Sequence, residues 1–236
     1  MRDILTMMWK EWKDVFFQGG WRSLPRPLLV VGVIGVYIPL QLGPQWVDLS
    51  PIAILLLLWI PFFMIITFIG DVIAGERERH TLETLLASRM PDRAILLGKV
   101  VTTVLYSWGM VLLSLLLGLI LVDLFRSQGN WMFYPLDLLV EALALSLLAS
   151  VLAVSAGVLV SLRVSTVRQA QQTLSVSTIV LVFGSVLALG SLPPDLVSSF
   201  TYSQFLLIVM AVLAVLDAIL LGLAMASFQR SRLILS

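Results

Sequence analysis

The sequence predicts an all-α membrane protein: six transmembrane helices, an amphipathic interfacial helix before the first, and a short cytoplasmic helix between the second and third. Three observations predict it. Of the 236 residues, 59% are hydrophobic and only 12% charged, with a mean hydropathy of +1.03. Soluble domains carry about 25% charged residues, so lipid must solvate much of this chain. Next, the apolar residues come in continuous runs rather than alternating ones. A helical span needs about 20 such residues to cross a hydrocarbon core of about 30 Å, whereas an open sheet in lipid would leave backbone groups unpaired. Finally, the basic residues fall on every second loop.

Residues 1–27 form the first unit. Ile4, Met8, Trp12, Val15 and Phe16 recur at helical spacing, and Lys10, Lys13 and Asp14 fall elsewhere on the wheel. The pattern predicts an amphipathic helix in the inner interface with Trp9 and Trp12 as anchors. Such a helix is either a juxtamembrane anchor or a lever that moves with the bundle. The segment holds Arg2, Lys10, Lys13, Arg22 and Arg26 without the apolar core and small-residue cleavage site of a signal peptide, so a retained first span is expected from residue 28.

The transmembrane domain is expected over residues 28–228, with spans at about 28–46, 52–74, 94–122, 136–162, 174–192 and 202–228, and a cytoplasmic tail over 229–236. The first and fifth spans are short and glycine-bearing. The third is long enough to tilt or to extend past the bilayer. Pro61 is expected to bend the second. Ser50–Pro51 reads as an N-cap followed by a proline in the first helical turn. Trp131, Phe133 and Tyr134 are the residue types of interfacial belts. The loops on this face are too short for a folded receptor domain.

Orientation follows from charge. Arg77, Arg79, Arg89, Arg93 and Lys99 follow the second span, Arg163 and Arg168 lie between the fourth and fifth, and Arg230 and Arg232 follow the sixth. With the basic residues before the first span, they leave only Arg126 of the 15 Lys and Arg on the opposite face. Basic loops stay inside, so both termini are expected in the cytoplasm of a cell with an inner (plasma) membrane.

The densest charge cluster is Glu76-Arg77-Glu78-Arg79-His80-Thr81-Leu82-Glu83-Thr84-Leu85-Leu86-Ala87-Ser88, followed after Pro91 by Arg93-Ala94-Ile95-Leu96-Leu97-Gly98-Lys99. Residues 81–88 read as a short helix with Leu82, Leu85 and Leu86 on one face and polar groups opposite. Pro91 and Asp92 end it. Held under the membrane by two long spans, such a helix is a projection suited to a groove in a soluble partner. The alternative is a helix lying on anionic headgroups, but three carboxylates do not favour lipid binding.

This stretch resembles the signature of the ATP-binding-cassette type-2 permeases. Their pattern runs glutamate, basic residue, glutamate, any residue, glycine, threonine, then a glutamate and a leucine pair, and later an apolar run closed by glycine and lysine. The six-span layout, the first amphipathic helix and the Lys10–Glu11 pair extend the resemblance in outline to the whole chain. His80 stands where the family usually has glycine, and Arg89 where it often has proline. The resemblance implies a coupling helix around 81–87 that docks into an ATPase groove, with the first helix as a second contact. The expected partners are a cytoplasmic ABC ATPase, a second permease copy or a paralogue, and membrane lipids, with no nucleic acid.

The chain contains no cysteine and only one histidine, His80, so neither thiolate chemistry nor a multi-histidine metal site is available. It has no phosphate-binding loop, because Gly98–Lys99 lacks the required upstream glycine. ATP and magnesium are therefore expected in a partner subunit, with no cofactor in this chain. Asp217 in the sixth span and Glu141 in the fourth are candidate intramembrane polar sites, because ionisable groups in spans are costly. Asp217 is either a packing partner or part of a polar path. Asp71 ends the second span. Lys99 is expected to reach the inner headgroups. Arg168, Gln169, Gln171, Gln172 and Thr173 form a polar patch at the start of the fifth span.

The expected function is a permease that exports an amphipathic or lipidic substrate using a partner's ATP. A non-transporting scaffold or sensor coupled to an ATPase would share these features. An intramembrane enzyme would need paired acids, a histidine cluster or a serine–lysine pattern within a span, and the sequence holds none.

Overall fold

The computed structural model describes residues 2–13, 25–69, 91–126, 131–164, 166–191 and 201–227. Among them the structure is all helical. The elements are α1 (Arg2–Lys13), α2 (Pro25–Val31), a π-helical segment (Gly32–Tyr37), α3 (Ile38–Leu42), α4 (Pro44–Val47), α5 (Pro51–Ile69), α6 (Asp92–Arg126), α7 (Leu136–Arg163), α8 (Val167–Gly190) and α9 (Tyr202–Ser227). By length and composition, four segments among the described residues can cross a membrane: Ala94–Arg126, Leu136–Arg163, Val167–Leu187 and Tyr202–Ser227. Two more helices, Pro27–Leu42 and Pro51–Ile66, are apolar but shorter.

The first expected span is not one uniform helix. Its backbone widens into π geometry at Gly32–Tyr37, turns at Gly43 with φ of +57°, and ends in the four-residue α4. Pro39 and Pro44 remove two backbone donors here, and Gly43 supplies the left-handed angle that other residues resist. Gly35 allows a close approach to α6: a Cβ there would lie 2.9 Å from the Ser114 Cα. The second expected span begins as its sequence predicts, with Ser50 Oγ accepting from the Ala53 N–H at 3.4 Å. Its helix continues through Pro61 to Ile69.

α6 has 35 residues, about 52 Å at 1.5 Å per residue. It is therefore longer than a bilayer core. α8 starts at Val167, seven residues before the expected fifth span, and Thr166 caps it by accepting from Gln169 N–H at 3.2 Å. The amides of the 168–173 patch thus lie on the helix itself.

α7 is the central helix. Half of its most apolar window is buried, against 11% for α9 and 17% for α8. Its buried stripe is made of small residues, among them Ser146, Ala149, Ser150, Ala153, Ser155 and Gly157. Small side chains let helices approach where lipid offers no hydrophobic drive for association. Ser146, Ser150 and Ser155 donate to carbonyls of their own helix, at 3.0, 2.8 and 2.8 Å, so they carry no unmet polarity into the contact.

Two apolar clusters divide the bundle along its length. One gathers Trp46, Leu49, Leu57, Leu115, Leu145 and Leu206. The other gathers Met7, Ile65, Ile95, Val104, Val158 and Ala224, and so includes α1. The two ends of the bundle are called below the Trp46 end and the α1 end.

Candidate functional site

α1 lies against the start of α6 through Met7 and Glu11, which are one helical turn apart and both buried. Leu5, Trp9 and Trp12 point away from the bundle, and Lys13 Nζ sits 5.3 Å over the Trp9 ring. The packed seam is thus Met7–Glu11 rather than the expected stripe through Met8 and Trp12. The two tryptophans face outward, where an interface would meet them.

Glu11 brings a carboxylate into this seam. Lys99, five residues beyond Ala94 at the base of α6, answers it: its Nζ donates to Glu11 Oε1 at 3.0 Å, and only 2% of the lysine is exposed. Lys10 adds a second cation, 3.7 Å from the same oxygen. Lys99 therefore does not reach outward to headgroups. The nearby buried carboxylate holds it, because an unpaired ammonium in that position would bear the full cost of desolvation. The tie joins α1 to α6, the helix that follows residues 76–90 in sequence. The candidate coupling residues Glu76, Arg77, Glu78, Arg79, His80, Thr81, Leu82, Glu83, Leu85 and Leu86 lie outside the described residues, as does Asp71.

The two intramembrane acids lie on neighbouring helices but do not meet. Ser203 Oγ donates to Glu141 Oε1 across α9 and α7, a sequence separation of 62. At the other end of the same pair, Leu221 and Ala224 pack with Val154 and Val158. The two helices therefore run parallel. The same offset puts Asp217 at the level of Ser155, about 20 Å along the bundle from the Glu141–Ser203 bond. Asp217 is 5% exposed, and neither of its carboxylate oxygens has a hydrogen-bond partner among the described residues. The second oxygen of Glu141 is likewise without one.

The α1 end also holds a cleft of about 860 Å³ between α2, α5 and α8. Leu29, Val30, Phe63, Met64 and Ile66 make its apolar wall, and Arg168, Gln171, Gln172 and Ser175 its polar edge on α8. This is where the sequence's polar patch goes. Gln169 and Thr173 do not line the cleft.

At the Trp46 end the helices are fastened by aromatic hydrogen bonds. Trp46 Nε1 donates to the Tyr134 hydroxyl at 3.0 Å, which donates to the Leu115 carbonyl at 2.9 Å. Burial pushes the Tyr134 phenol above its ordinary value, so it stays a neutral donor near pH 7. Tyr202 donates to the Leu49 carbonyl at 3.2 Å, and Arg126 to the Leu40 carbonyl at 2.8 Å.

Sequence reasoning missed two features: the Glu11–Lys99 tie and the cleft. A glutamate among the apolar positions of α1 was a signal that a base must be near. Nothing in the sequence indicated which base. Among the described residues, no three His, Cys, Asp or Glu gather into a metal-binding group.

A family model described as ABC-2 type transporter matches residues 2–194. No curated protein matches the chain.

Proposed function

The chain belongs to the ABC-2 type transporter family, and from that premise we propose that it is the permease subunit of an exporter driven by ATP hydrolysed in a separate cytoplasmic subunit. The family makes it a multi-pass membrane component of an ABC transporter. The finer reading is that the two shorter apolar helices complete six spans and that the α1 end faces the cytoplasm in the inner membrane. The segment 76–86 then docks into the ATPase, which binds ATP and magnesium, and a second permease chain completes the channel.

One observation carries the reading. The Glu11–Lys99 tie fastens α1 to α6 at the end where α6 leaves the candidate coupling segment. A rigid helix of 35 residues would pass a push at its base along the whole bundle, and α1 would move with it. The pair is buried, so salt screens it less than a surface ion pair.

The test is affinity purification of the intact chain from its own membranes in mild detergent, with identification of what co-purifies. The reading requires a phosphate-loop ATPase at about one per permease chain. ATP-dependent flux in proteoliposomes separates a transporter from a scaffold or sensor that only couples to the ATPase. Co-purification without any ATPase contradicts both.

A further inference from the structure

We propose that the cleft between α2, α5 and α8 binds an anionic amphiphile, with its alkyl chain on the wall of Phe63, Met64 and Ile66 and its phosphate or carboxylate headgroup on Arg168, Gln171 and Gln172. The volume, about 860 Å³, lies within the range of about 300–1,000 Å³ usual for ligand pockets. Its chemistry is divided along one axis. Arg168 is in the first turn of α8, and Ser175 and Val176 lie about two turns further on, roughly 10 Å deeper. A cation and two amides therefore stand at one end of a cleft whose opposite wall is apolar. Such a division suits a molecule with a headgroup and a chain rather than a uniformly polar or uniformly apolar one.

Two further observations favour an anionic ligand. Arg168 makes no ion pair among the described residues, so its guanidinium keeps its donors for a carboxylate or phosphate, which it can engage bidentately. The cleft also reaches the surface, since Leu29, Arg168, Gln172 and Val176 are all exposed, and in a bilayer an amphiphile can enter it sideways. A second copy of this chain is the other candidate occupant. A two-fold contact would bring the same surface against itself, so both chains would carry an Arg168 into one contact, and among the described residues the lining offers no carboxylate to offset them.

The binding claim stands on the cleft. The claim that such a molecule is the cargo rests on the permease reading above.

The test uses the full chain in phosphatidylcholine nanodiscs and a dodecyl phosphate with a diazirine at the chain end. Saturable labelling is expected on peptides from α5 or α8 that line the cleft. Arg168→Gln should raise the half-saturating concentration about tenfold, as the loss of one charge-assisted contact. Arg163→Gln, an exposed arginine outside the cleft, should leave it unchanged. Unlabelled dodecyl phosphate should compete, and inorganic phosphate and dodecyltrimethylammonium should not.

Labelling that never saturates, or that Arg168→Gln leaves unchanged, overturns the site. Equal competition by inorganic phosphate makes it a free-anion site and overturns the amphiphile. Because the chain has no cysteine of its own, Val176→Cys is a clean probe for the second copy, and efficient disulfide pairing between two chains would mean that the copy fills the cleft. The two readings fail separately. Labelling without any bound ATPase sinks the permease and leaves the site, and an ATPase bound to a chain that takes no label does the reverse.

Discussion

Lys99 and Glu11 meet at 3.0 Å in a setting where neither has water to fall back on. Removing one partner of a buried pair costs about 3–5 kcal/mol, whereas replacing both with apolar residues is often neutral. Lys99→Met and Glu11→Leu should each lower thermal stability in detergent strongly, and the double variant should recover most of the loss. Two additive single effects would mean that the residues are not coupled. If the tie also transmits motion, the recovered double variant should couple ATP hydrolysis to flux less well than the parent. Asp217 presents the opposite case. Its oxygens have no donor among the described residues, so Asp217→Leu removes no hydrogen bond and should leave stability unchanged or raise it by about 1–3 kcal/mol. Stability kept while flux is lost would give the carboxyl a transport role, and marked destabilisation would show that it has a partner in the assembled protein. The cost of Asp217 and Glu141 was legible in the sequence, because charge in a span stands out. The partners of Glu141 and Glu11 were not, since pairing across a separation of 62 or 88 residues depends on tertiary register.

Among the elements, the contact of α4 with α6 is the least tolerant of added volume. A Cβ at Gly118 would overlap the Trp46 indole, a fully buried ring bonded to Tyr134. Gly118→Val should therefore destabilise by about 1–3 kcal/mol through overpacking. Tyr134→Phe should cost a similar amount by leaving the buried Trp46 N–H without an acceptor. Both are checked by thermal melting of the purified chain. A stable Gly118→Val variant would contradict the packing described. Long apolar runs made α6, α7 and α9 legible in the sequence, with ends close to those expected for α7 and α9. The first span was less so. Proline and glycine at 39, 43 and 44 signalled a break, but nothing local marked the π-helical turn, within which Gly35 lies against Ser114 in a tertiary contact. α8 begins seven residues before the expected fifth span, so the polar patch at the entrance of that span is helical: glutamine is a good helix former and Thr166 supplies the cap.

For the whole molecule, the two apolar clusters give the bundle distinct ends, and among the described residues Lys10, Lys13, Lys99, Arg163 and Arg168 lie toward the α1 end and Arg126 toward the other. Positive charge stays inside, so single cysteines at Arg163 or at Lys13 should react with an impermeant maleimide only after the membrane is opened, and one at Trp131 should react in intact cells. The reverse pattern would invert the topology and remove the route by which ATP could act. The family and the membrane character were legible from one charged stretch and the hydropathy. The cleft was not, because it is assembled from α2, α5 and α8, which are far apart in sequence. The central claim is that a soluble ATPase grips the segment 76–86, and the most direct measurement places a photo-crosslinking residue at Leu85 in living cells and identifies what it captures. The account predicts an adduct with a phosphate-loop ATPase that disappears when Glu83 is replaced by arginine. An adduct with lipid alone, or with a protein outside the membrane's cytoplasmic face, would contradict it.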